Sequence, residues 1–108
     1  MKLLDLKHKL EKGKSLGAEV VYIKEDSLIC GVGSIYKDCE SQNITLLRSK
    51  EESVKVNDFM KILDELYASV GDVDIFIGNS EYSRETKKEI KSVEFAQYEL
   101  IKMLFVNI

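Results

Sequence analysis

At 108 residues, with 44% hydrophobic and 32% charged side chains, the chain has the size and composition of one domain with one buried core. Its formal charge of −3 argues against a general nucleic-acid binder, which needs a surplus of Lys and Arg on one face. The early apolar cluster of Leu3, Leu4 and Leu6 is broken by Asp5, Lys7 and Lys9, so neither a secretory signal nor a membrane span is expected and the chain is read as cytoplasmic.

In chain order, Leu3, Leu6 and Leu10 recur at helical spacing and predict a first helix, ended by Gly17. A strand is expected over 18–23. Two further strands, 31–37 and 44–48, joined by a polar turn, make a hairpin. Residues 49–53 are charged and apolar-free, which marks an exposed connection and the expected site of proteolytic nicking. A second helix follows, with Phe59, Ile62, Leu63, Leu66, Tyr67 and Val70 on one stripe, and Gly71 ends it. Val73, Ile75 and Ile77 then alternate with Asp74 and Phe76 in a strand over 72–77. Residues 79–91 are a polar insertion, and 89–95 with 100–106 read as a closing hairpin.

The order helix, glycine, strand, hairpin occurs twice. It predicts an α+β fold of two pseudo-repeated halves, 1–48 and 54–108, linked by 49–53. Neither half can bury its sheet alone, so both are expected to share one core in a single domain, with two helices packed on an antiparallel sheet.

Chemistry-bearing residues are sparse. Cys30 and Cys39 are the only cysteines and His8 the only histidine. Two thiols without an export signal are expected to be reduced, and the set is too small for a zinc site. His8 lies between Lys7 and Lys9 and reads as a solvated helix residue. Asp72 with Asp74, and Asp64 with Glu65, read as outward polar rows rather than acid–base pairs. No catalytic residue, cofactor or metal is assigned.

The unusual stretch is Gly31 to Lys37. Glycines inside a strand mark a bulge, a close backbone approach or a ligand contact. A bulge or close helix-sheet packing is favoured, because Gly31 and Gly33 lack both the third glycine of a dinucleotide fingerprint and the Lys-Ser pair of a phosphate loop. The ligand reading would use exposed amides for a small anion, with Ser34 adding a hydroxyl and Lys37 a charge.

The passage VNDFMKILDELYASVGDVDIFI, followed by IKSVEF and a final apolar strand, resembles small uncharacterised domains of phages and other mobile elements. The resemblance covers residues 56–108 and, more faintly, 3–48. It implies a non-catalytic accessory factor that inhibits or sequesters a host protein, including one of antiviral defence. The alternative is a small-ligand or nucleotide-binding domain that forms oligomers, a homodimer among them. The binding surface is placed on the glycine-marked strand and the insertion, with Ser34, Tyr36, Lys37, Tyr82 and Arg84 as its residues, since exposed Tyr and Arg supply most interface hot spots.

Overall fold

A computed structural model describes residues 1–38, 40, 42–78 and 87–108. Helix α1 (Leu3–Ser15) buries Leu3, Leu6 and Leu10 completely. Lys2 stands at its N-cap and supplies no side-chain cap. The cap comes from far along the chain: the Leu4 amide donates to Asp72 Oδ1 at 2.9 Å. Backbone bonds from Leu3 to the Val73 carbonyl and from Ile75 to the Met1 carbonyl pin the same end of the helix. Gly17 follows α1 at φ +97° and Gly71 follows helix α2 (Val56–Val70) at φ +81°, the positive region expected of them.

Among the described residues eight strands join in one sheet. They are β1 (Val20–Glu25), β2 (Leu28–Asp38), β3 (Asn43–Ser49), β4 (Val54–Lys55), β5 (Asp74–Gly78), β6 (Lys87–Glu89), β7 (Ser92–Tyr98) and β8 (Ile101–Asn107). The lateral order is β6-β5-β3-β2-β1-β8-β7, with β4 paired to β1 off this path. The sheet is mixed, which corrects the antiparallel expectation: β1 runs parallel to β8, and β3 parallel to β5. Helix α2 lies between β3 and β5 in the chain and returns it across the sheet, the crossover that their parallel pairing requires.

The halves do not sit as equivalent units. The three strands of the first half lie together in the centre as β3-β2-β1, and the second half is divided around them. Its β5 and β6 extend one side, and its β8 and β7 the other.

Strand β2 is bent. Residues 28–30 pair with β1, and from Gly31 onward the strand pairs with β3. Its register against β3 shifts between Val32 and Ile35, where Gly33 and Ser34 together face Leu47, a β-bulge. As β2 leaves β1, β4 takes over the vacated edge, pairing Lys55 with Val20 and Val54 with Val21. The connection 50–53 is exposed, as expected, yet held in place: the Glu51 and Glu52 amides donate to Ser49 Oγ, and the Glu52 carbonyl rests on Gly31.

Strand alternation puts Val21, Ile23, Ile44, Leu46, Ile75, Ile77, Leu104 and Val106 on one face, in a single apolar cluster with Leu3, Leu6 and Leu10 of α1 and Phe59 and Leu63 of α2. Both helices cover that face. The other carries Tyr22 against Phe105 at 6.4 Å between ring centroids, Lys24 over Phe105, and Lys87 over Phe76. No helix among the described residues is long and apolar enough to cross a membrane.

Candidate functional site

The residues singled out in the sequence do not converge. Ser34 is exposed in the bulge. Tyr36 is 39% exposed and pairs across the strands with Thr45 on the helix-free face. Lys37 lies on the opposite face, because adjacent strand residues alternate, and its Nζ donates to Ser69 Oγ of α2 at 3.1 Å. Ser34 and Lys37 therefore approach no common anion. Tyr82, Arg84 and Cys39 lie outside the described residues. His8 is exposed on α1, and Cys30 Sγ donates weakly to the Ile23 carbonyl at 3.7 Å. Among the described residues no three His, Cys, Asp or Glu side chains gather as a metal site. Asp72 caps α1, Asp74 pairs with Lys2 at 3.6 Å, and Asp64 pairs with Lys7.

One charged cluster stands at the end of the core. Arg48 donates through Nη1 to Glu25 Oε1 at 3.3 Å and through Nε to the Gly78 carbonyl at 3.2 Å, and Lys88 donates to Glu25 Oε2. The hydrogen bond from Lys88 holds the Glu25 carboxyl below its ordinary range; burial opposes this, and the charges of Arg48 and Lys88 reinforce it. Arg48 Nη2 is buried without a hydrogen-bond partner among the described residues. Arg48 is also among the residues that bound a concavity of ≈480 Å³, with Gly33, Ser34, Lys50, Glu51 and Glu52.

The more distinctive surface is at the opposite end, around the β7–β8 hairpin. Its loop is two residues, Glu99 and Leu100, with Tyr98 paired to Ile101. Such loops favour Asn or Gly, because a positive φ is needed; here Glu99 adopts φ +56° and Leu100 stands 92% exposed. Tyr98 is 72% exposed, and Ile101 and Leu16 are about half exposed nearby, Leu16 reaching this end because α1 closes beside the start of β1. Hydrophobic side chains at a loop tip do nothing for the fold that polar ones would not do better.

Next to this tip a groove of ≈420 Å³ runs between α1 and β7, bounded by Lys9, Lys12, Leu16, Lys91, Val93 and Phe95. Its depth follows from Gly13, which lets α1 settle on β8: a Cβ there would lie 2.4 Å from Leu104 Cδ2. The groove was not foreseen from the sequence, because only the lateral strand order reveals β7 as a terminal strand. Compared with protein families, curated proteins and solved structures, the chain matches none.

Proposed function

We propose that this chain is a non-catalytic binding domain whose partner is a protein, consistent with the accessory role, inhibiting or sequestering a host component, that the resemblance to phage and mobile-element domains implies. The observation that carries the reading is the exposed apolar tip formed by Tyr98, Leu100 and Ile101, beside the unpaired side of β7. Exposed hydrophobic side chains grouped at one end mark an interaction surface, whereas scattered ones do not. The test is capture of a stoichiometric partner from a host lysate, followed by titration of Tyr98→Ala and Leu100→Ser. Loss of a hot spot weakens binding by about thirtyfold, at roughly 2 kcal/mol. Full binding by both variants, with loss in Tyr36→Ala, Tyr82→Ala or Arg84→Ala, would move the surface to the bulged strand and the insertion.

A second reading, a small anionic ligand, is favoured by one observation: Arg48, whose Nη2 is buried with no hydrogen-bond partner among the described residues, also bounds the concavity at Ser34. A nucleotide or other phosphorylated metabolite released on heat denaturation of purified protein, and missing from Arg48→Gln, would support it.

A further inference from the structure

Strand β7 ends the sheet without the protection that terminal strands ordinarily carry. It pairs with β8 at seven successive positions with no bulge, and it contains one charge, Glu94, and no Lys or Pro. The strand at the other end is different: β6 is three residues long, and all three are charged. The two-residue loop closes the β7–β8 ladder at Tyr98 and Ile101, so the hydrogen-bonded positions of β7 are Tyr98, Ala96, Glu94 and Ser92. The backbone N–H and C=O groups of Val93, Phe95 and Gln97 then point away from β8. They form a row of donors and acceptors at strand spacing.

The side chains of those same three residues alternate onto the helix-covered face, and Lys91, just before the strand, borders the same groove. Above them, Lys9, Lys12 and Leu16 occur at i, i+3 and i+7 on one stripe of α1. Lys12 and Lys91 form no salt bridge with the described residues, and Lys9 has only an exposed partner, Asp5 at 3.6 Å. In a chain of net charge −3, the outer edge of β7, which no described strand covers, is thus bordered by three ammonium groups and an apolar floor.

Building on the protein-binding reading above, we infer that β7 accepts an extended peptide segment of alternating apolar and acidic residues as an added strand, with its carboxylates against Lys9, Lys12 and Lys91. The main-chain row supplies hydrogen bonds to any extended chain, and the lysines select its charge. Charge complementarity decides the occupant. A second copy paired through β7 would bring its own Lys9, Lys12 and Lys91 to the same groove, setting six like charges along one junction.

The experiment is fluorescence anisotropy on the full chain, with a fluorescein-labelled octapeptide alternating Val with Glu and its counterpart alternating Val with Lys. The Glu peptide should bind saturably and about tenfold or more tightly than the Lys peptide. Replacing Lys9, Lys12 and Lys91 with Glu should reverse that order. Gln97→Pro removes one outward N–H and no bond to β8, and should weaken the Glu peptide by roughly tenfold while circular dichroism reports native folding. Glu peptides N-methylated at every second residue, in the two alternate phases, test the same bonds with the protein unaltered: one phase should lose binding. Equal binding of the two charge types, no binding of either, or indifference to both N-methylated phases would overturn the inference. So would dimerisation of the wild type in sedimentation that Gln97→Pro abolishes, since the second copy would then be the occupant. If the octapeptides fail while Tyr98→Ala and Leu100→Ser still weaken a captured partner, the protein-binding reading stands and the acidic-strand inference alone is lost.

Discussion

The carbonyl oxygen of Glu52 sits 1.4 Å from where a Cβ on Gly31 would stand. Residues 31 and 52 are the crossing point at which the connection between the halves passes over β2, as that strand leaves β1 for β3. Gly31 is there because one backbone lies on another, the connection over the strand rather than a helix on the sheet, and the expected bulge falls at Gly33 instead.

Gly31→Ala should therefore be severely destabilising, because the atom in the way is backbone and a side-chain rotation cannot relieve the clash. The expected loss is about 2–4 kcal/mol, in the range of overpacked cores, and a fall in Tm of roughly 10 °C or more. Gly33→Ala is the control. Its nearest neighbour would be Ser49 Cβ at 3.0 Å, in a region that is exposed, and the loss should stay near 1 kcal/mol or below. Thermal melts of the two variants should separate clearly; equal melts would refute the backbone crossing.

Asp72 acts on a helix amide, that of Leu4, 68 residues before its own position. Because Lys2 supplies no cap, Asp72→Ala leaves the Leu4 amide without its side-chain acceptor and should cost about 1 kcal/mol. Asp72→Asn keeps an acceptor oxygen and should lose much less. Amide hydrogen exchange provides the local check: protection in the first turn of α1 should fall in the Ala variant while protection in α2 does not.

The Glu25 cluster predicts a pH dependence of definite sign. A carboxyl whose folded-state pKa is lowered contributes stability that is fully present above the unfolded value, near the ordinary glutamate range, and is lost as pH falls through the lowered folded value. Glu25→Gln removes that contribution at every pH. The difference in Tm between wild type and Glu25→Gln should be largest at neutral pH, begin to narrow as pH falls into the ordinary glutamate range, and vanish in stronger acid. A gap that widens on acidification would contradict the assigned hydrogen bond from Lys88.

What could be read from the sequence was local. Leu3, Leu6 and Leu10, the fuller stripe on the second helix and the two glycines after them marked both helices and their ends, because periodicity and positive φ are properties of neighbouring residues. Alternation at Val73, Ile75 and Ile77 likewise marked β5. Lateral order is not local: nothing in those alternations says that β5 lies against β3 or that β8 lies against β1, and that choice makes the sheet mixed. Glu99 and Leu100 are poor turn formers, so the sequence pattern sets the turn of the final hairpin among the polar residues before Leu100, whereas the structure puts it at Glu99–Leu100. Strand β2 begins at Leu28, ahead of the 31–37 expected, and the signal for that start is the turn chemistry of Asp26 and Ser27, where Asp26 takes φ +53°. Of the candidate surface, nothing in the sequence singles out Leu16, Phe95 or Tyr98; the strand order, which sets β7 at the end of the sheet, does.

The two parallel pairs bear on how the chain folds. Both β1–β8 and β3–β5 join a strand of the first half to one of the second, and β4, just past the connection, pairs back onto β1. An isolated segment 1–48 would keep the β1-β2-β3 meander but lose a neighbour on each side, and 54–108 would be left with two separate strand pairs and nothing between them. Neither fragment should show a cooperative melt alone, since small sheets without a covered face are marginal. Mixed in equal amounts, they should recover native circular dichroism and a single transition. Limited cleavage after Lys50 in the intact protein, in the exposed connection, should leave the pieces associated on a sizing column, because β4 and the two parallel ladders lie outside the cut. The nicked form should unfold at a lower temperature that depends on concentration, since rejoining the pieces becomes a bimolecular step. A cooperative melt of either fragment as a monomer, or separation of the nicked pieces without denaturant, would show that the halves are independent and that the shared core is not what stabilises them.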